Sequence, residues 1–172
     1  MSRLTLAHRR TLASLTAFLL VAAEAMTQAA APGTPPVSPS KGDLVPVFET
    51  LGVDGKPAKV DFPKGSKTVL LFFLSGCPSC HKMIPEWNRA YERRSKDLKI
   101  VGVIMDPEQA PPAFWSTTAI SFPVLRSPGR DFLRTLNVNR APLTLRVGEG
   151  GRVEDLVLGI VDPIRLGELF KP

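Results

Sequence analysis

Val69-Leu70-Leu71-Phe72-Phe73-Leu74-Ser75-Gly76-Cys77-Pro78-Ser79-Cys80 is the stretch on which the fold turns. Its first six residues are bulky and apolar, which reads as a strand buried on both faces. Ser75-Gly76 breaks the run, and the segment from Ser79 to about Ser95 reads as a helix. Cys77 therefore stands at a helix N-terminus, where unpaired backbone N–H groups and the positive end of the helix dipole favour a thiolate. A thiolate is the nucleophile of disulfide exchange, and a Cys-x-x-Cys pair so placed is suited to that chemistry. Cys77 and Cys80 are the chain's two cysteines.

Three plainer readings compete. A structural disulfide between Cys77 and Cys80 closes a loop too small to constrain much of the unfolded chain. A zinc site needs further ligands, and the two histidines are His8, near the start, and His81, beside the motif, so one chain cannot complete a tetrahedral set. Two inert buried thiols are the third, and an exported setting disfavours them.

Outward from the motif, the chain alternates strands and helices. Upstream, Leu44 to Leu51 and Ala58 to Phe62 read as short strands around a turn at Asp54-Gly55. Downstream, Pro85 falls inside the helix, where a missing N–H and a ring clash predict a kink. Lys99 to Met105 reads as a second buried strand, Pro112 to Ala119 as a helix, Phe122 to Leu125 as a short strand and Asp131 to Leu136 as a short helix. After Asn139-Arg140-Ala141-Pro142 come a strand, Leu143 to Val147, a turn at Glu149 to Arg152, and an antiparallel return over Val153 to Ile160. Asp162 followed by Pro163 is a cap with proline at the first helical position, opening a last helix to about Phe170. This order predicts an α/β sandwich around a mixed sheet.

The first 31 residues have the pattern of a secretory signal. Arg3, Arg9 and Arg10 form a positive start, Leu12 to Ala23 is an uncharged stretch of twelve residues, and Ala23-Glu24-Ala25 or Ala29-Ala30-Ala31 offers a cleavage site. An uncleaved anchor is the competing reading, although twelve residues are short for a membrane span. Residues 32–41 are rich in proline and serine and read as a linker, leaving 42–172 as one domain. Losing three Arg and one Glu with the leader lowers the formal net charge from +6 to +4. Arg89, Arg93, Arg94 and Lys96 read as a solvated helix face, and without interleaved aromatics there is no nucleic-acid signature.

Taken together, the strand–Cys77-Pro78-Ser79-Cys80–helix unit, Pro85, Pro142 opening a late strand, the hairpin over 143–160 and Gly159 before the last helix resemble the thioredoxin superfamily. The resemblance covers residues 42–170. The long stretch between Cys80 and Pro142, with room for an extra strand–helix unit, the Gly42 to Phe48 arm and the leader resemble the TlpA/ResA-like branch of exported thiol–disulfide oxidoreductases. That branch overlaps in sequence with the redoxin and peroxiredoxin (AhpC/TSA) group. The fold so implied is a thioredoxin-like sandwich, a mixed central sheet with helices on both faces, an N-terminal β extension and one strand–helix insertion.

The resemblance also implies roles. Cys77 matches the exposed attacking cysteine and Cys80 the buried resolving one. Pro78 and Ser79 match the variable pair that sets redox poise, and Pro142 the cis-proline facing the cysteines, with Ala141 offering its backbone to an extended substrate. The chain departs from the pattern in three places: Gly76 stands where many members have tryptophan, Met83 where maturation factors have glutamate, and Leu71 where small thioredoxins have a buried acid. The acid usually found near the second cysteine is thus missing from both familiar positions, and His81 is a neighbour able to tune Cys80.

The implied activity is thiol–disulfide exchange with protein clients, more as reductant than oxidant, in the periplasm or another exported compartment, with no cofactor and no metal. The implied partners are a client bearing a disulfide or dithiol and a membrane-bound thiol donor, the protein itself being a monomer. A peroxiredoxin-like peroxidase is a second reading, against which the phenylalanine and leucine residues before Cys77 stand where a peroxide-binding threonine is wanted. A non-enzymatic maturation factor for one exported client is a third.

Overall fold

The computed structural model describes residues 38–172. The expected leader and residues 32–37 of the expected linker lie outside the described residues.

The apolar run forms β3 of the chain, Lys67–Phe73, at the centre of a five-stranded sheet. In chain order the elements before it are β1 (Phe48–Leu51) and β2 (Pro57–Val60), an antiparallel pair. After it come α1 (Pro78–Glu92), β4 (Leu98–Ile104), α2 (Pro112–Thr117), β5 (Val124–Arg126), α3 (Arg130–Thr135), β6 (Leu143–Val147), a single 3-10 turn over Glu149–Gly151, β7 (Val153–Leu158) and α4 (Pro163–Leu169). The sheet order is β5-β4-β3-β6-β7. β3 is parallel to β4 and antiparallel to β6, so the sheet is mixed, as the order of elements predicts. Between α1 and β6 the chain fits in β4, α2, β5 and α3, which accommodates the extra strand–helix unit and leaves β5 at the edge.

Alternation along β3 explains why the run from Val69 to Phe73 is apolar throughout. Val69, Leu71 and Phe73 point into a cluster with Met83, Ile84 and Trp87 of α1, Phe114 of α2 and Leu166 and Leu169 of α4. Leu70 and Phe72 point the other way, against Phe48, Val60 and Phe62 of the N-terminal arm and Leu136 and Val138 after α3. Both faces of the strand are covered from Thr68 to Phe73, and only Lys67 at its start is partly open to water. On α1 the buried residues are Cys80, Met83, Ile84 and Trp87, the i, i+3, i+4, i+7 spacing of one helix face. Trp87 satisfies its indole N–H inside this core by donating to Thr144 Oγ1 on β6 at 3.0 Å.

Several element bounds differ from the sequence reading. α1 runs through Pro85 as one helix and ends at Glu92, so Arg93 is its C-cap and Arg94 lies beyond it. Arg94 is therefore not on a helix face: its guanidinium stacks 3.6 Å over the Tyr91 ring and donates to the Tyr91 carbonyl. Leu44 makes only a single bridge to Arg152, and the arm becomes a strand at Phe48. β7 stops at Leu158 because Gly159 adopts φ +90°, a conformation that favours glycine. Asp162 caps α4 as expected, its Oδ1 accepting from Ile164 N and Arg165 N at 2.9 and 3.0 Å.

Candidate active site

β3 delivers the chain to the carboxyl end of the sheet, where Leu74 to Cys77 form a tight turn closed by the Cys77 N–H donating to the Leu74 carbonyl at 3.3 Å. Cys77 is the N-cap of α1 with extended φ/ψ of −90° and 113°, and Pro78 takes the first helical position. A cysteine thus does what serine or aspartate usually does at a helix start: its Sγ accepts the Cys80 N–H at 3.3 Å. A sulfur that receives a helix N–H is placed to carry negative charge.

The two sulfurs sit in different surroundings. Cys77 is half-buried, and Gly76 before it is exposed, with open space where a side chain would stand. Cys80 is fully buried in the α1 core cluster. Burial pushes the Cys80 thiol up to about 12, and its contact with Cys77 adds to this, while the Leu74 backbone works against it. The charge of Asp106 also raises it. Both cysteines are free thiols.

Across from the pair, the Ala141–Pro142 bond is cis, and the Ala141 carbonyl accepts from the Cys77 thiol at 3.8 Å. β6 begins at once after Pro142, and Gly159 N donates to the Pro142 carbonyl at 2.7 Å, so the turn after β7 is tied to the same spot. The structure therefore brings together Cys77, Cys80 and Ala141–Pro142, residues the sequence reading chose, at one end of the sheet. Pro78 is exposed and Ser79 half-buried on the first turn of α1.

Two neighbours join this site: Asp106, to which the sequence reading gives no role, and His81, which it names as able to tune Cys80. Asp106, just after β4, receives the Ser75 N–H on both carboxylate oxygens at 2.9 and 3.1 Å and the Ser75 hydroxyl at 2.7 Å. His81 is exposed, yet its Nε2 lies 2.6 Å from the Ser75 carbonyl and its ring packs on Phe114. The acid that sequence positions 71 and 83 lack is thus supplied near Cys80 from a third place, the end of the neighbouring parallel strand. Its one sequence signal is position: the first polar residue after a buried parallel strand lies at the sheet's carboxyl edge, where sites form.

Residues 40–163 match the model of the redoxin family. The sporulation thiol-disulfide oxidoreductase A of Bacillus subtilis (strain 168) is 23% identical over 142 residues, covering 80% of this chain and 86% of that protein. The thiol-disulfide oxidoreductase ResA of Bacillus anthracis is 25% identical over 120 residues, 69% of each chain. Among solved structures, StoA from Bacillus subtilis superposes with a TM-score of 0.62 at 23% identity, over 78% of this chain and 98% of that one, which shows the fold.

Proposed function

This chain belongs to the redoxin family, and from that premise we propose that it is an exported thiol–disulfide oxidoreductase that reduces disulfides of protein clients. The observation that carries this reading is the asymmetry of the pair: an accessible Cys77 capping a helix and a fully buried Cys80 three residues on, beside a backbone edge at Ala141. The relatives named as thiol-disulfide oxidoreductases agree with it, and the pattern of residues 1–31 supports export.

The chemistry follows from the geometry. Cys77, as thiolate, attacks one sulfur of a client disulfide, forming a mixed disulfide and expelling the other client sulfur as a thiolate that takes up a proton. Cys80 then loses its proton to solvent and attacks Cys77 Sγ. The Cys77–client bond breaks, the second client sulfur leaves and is protonated, and Cys77–Cys80 is left oxidised. Two electrons pass from the pair to the client, and a thiol donor, membrane-bound on this reading, returns them. Because burial holds Cys80 protonated, the pair does not compete for the client: Cys77 attacks and Cys80 resolves. The Ala141 backbone and the exposed Ile160 beside Gly159 offer an edge and an apolar contact to an extended client segment. One protein molecule carries the whole site, so a monomer suffices.

Insulin reduction with a regenerating thiol, combined with the pair's reduction potential against glutathione, tests the reading. A potential toward about −270 mV with turnover of insulin supports a reductant, and one toward about −120 mV makes the protein an oxidant. Consumption of hydrogen peroxide without insulin turnover overturns the exchange reading in favour of a peroxidase.

A further inference from the structure

The Asp106 carboxylate is the most heavily used acceptor at this end of the sheet, and the exchange chemistry derived above assigns it nothing. All three of its contacts go to Ser75, the residue after Leu74 in the turn that ends at Cys77. The other side of Ser75 is taken by His81, whose Nε2 meets the Ser75 carbonyl. Ser75 is itself almost fully buried, so the turn is fixed from two elements at once, β4 through Asp106 and α1 through His81. A carboxylate that accepts both the shared N–H and the hydroxyl of one residue, in charge-assisted hydrogen bonds, holds a loop more firmly than neutral contacts do.

We propose that Asp106 is a positioning residue of the exchange reaction: through Ser75 it fixes the turn that presents Cys77, and its negative charge faces the buried Cys80. The inference rests on the oxidoreductase reading. The titratable groups around Cys80 are Cys77 on the turn, Asp106 at the end of β4 and His81 on α1; His81 is directed at the Ser75 carbonyl and the Phe114 ring rather than at Cys80. The charge of Asp106 raises the Cys80 thiol, in addition to burial and Cys77. Two consequences differ in origin. The clamp on Ser75 sets where Cys77 stands, and the charge sets the pH at which Cys80 becomes a nucleophile.

Ellman's reagent separates the two steps on the full chain. Attack by Cys77 releases one equivalent of nitrothiobenzoate and leaves a second on Cys77. Cys80 then gives up its proton to solvent, bonds to Cys77 Sγ and displaces the second equivalent as a thiolate, so the dithiol's two electrons end in two released thiolates. The pH midpoint of the second phase reports Cys80. Asp106→Asn keeps one oxygen for Ser75 and removes the charge, and the midpoint should fall. Ser75→Ala removes a donor that partly neutralises the carboxylate, and the midpoint should rise. Loosening of the turn alone cannot move the two variants in opposite directions. Should Asp106→Asn fail to fold, the Ser75→Ala midpoint decides by its sign. An unchanged midpoint in Asp106→Asn, a rise in it, or a fall in Ser75→Ala overturns the proposal. A wild type releasing one equivalent and no second phase overturns the exchange reading itself.

Discussion

Replacing Cys80 with serine should flatten the alkaline loss of stability of the reduced protein. The thiol of Cys80 is fully buried, and burial with the neighbouring Cys77 pushes it from an ordinary value near 9 to about 12. In the unfolded chain the same thiol ionises near 9, so between pH 9 and 12 the unfolded state has lost a proton that the folded state still holds. Folding stability then falls as pH rises, at up to about 1.4 kcal/mol per pH unit. The contribution is whole below pH 9 and is lost as pH climbs toward 12, on the order of 4 kcal/mol in all. Two units of that window, from pH 9 to 11, are accessible to urea titration and represent about 2–3 kcal/mol, a large share of a typical domain's stability. Urea unfolding of wild type and Cys80→Ser, each with a non-thiol reductant, gives the difference in stability at every pH. The wild-type advantage should shrink steadily above pH 9. A difference independent of pH between 8 and 11 would refute the reasoning, because it would mean that Cys80 titrates alike in folded and unfolded chains.

Two packing predictions test the scaffold that holds the site. Trp87→Phe removes the indole donor from the buried Thr144 hydroxyl and should cost about 1–3 kcal/mol by chemical denaturation, with part of the loss recovered in Trp87→Phe/Thr144→Val, where neither partner is polar. Gly102→Ala on β4 places a Cβ 2.7 Å from Phe122 Cε2 and 3.1 Å from Phe73 Cε1, so both rings must shift, and a loss of about 1–3 kcal/mol in the same assay is expected.

What the sequence discloses here depends on how local the signal is. The run Val69 to Phe73, the proline after Cys77 and the i, i+3, i+4, i+7 face of α1 are each readable within one turn or one strand, and β3 and α1 appear where they are expected. Asp162 before Pro163 is equally local, and α4 begins there. The end of α1 carries no glycine, and the basic residues after Glu92 look helical by composition, so the reading overran into Arg93 and Arg94, one a cap and the other stacked on Tyr91. Leu44 has an apolar neighbourhood but only one partner, so the strand starts later than its pattern implies. Contacts between distant residues are the hardest to read. Ala141 reaches Cys77 across 64 positions, and only resemblance to a known fold placed it there. Asp106 reaches Ser75 across 31, through the parallel register that sets Phe73 beside Ile104. A lone aspartate before a proline reads as a loop opener, and nothing in its own neighbourhood says that a cysteine turn lies one strand away.

The division of labour between the two cysteines is tested most directly by trapping. Cys77→Ser and Cys80→Ser are each mixed with a disulfide-bearing client peptide at neutral pH, quenched with acid and weighed by mass spectrometry. In Cys80→Ser the accessible thiol attacks and nothing resolves the product, so a covalent adduct mapped to Cys77 should accumulate, while Cys77→Ser, left with a buried and protonated sulfur, should form almost none. Equal or faster adduct formation on Cys80 in Cys77→Ser would contradict the account.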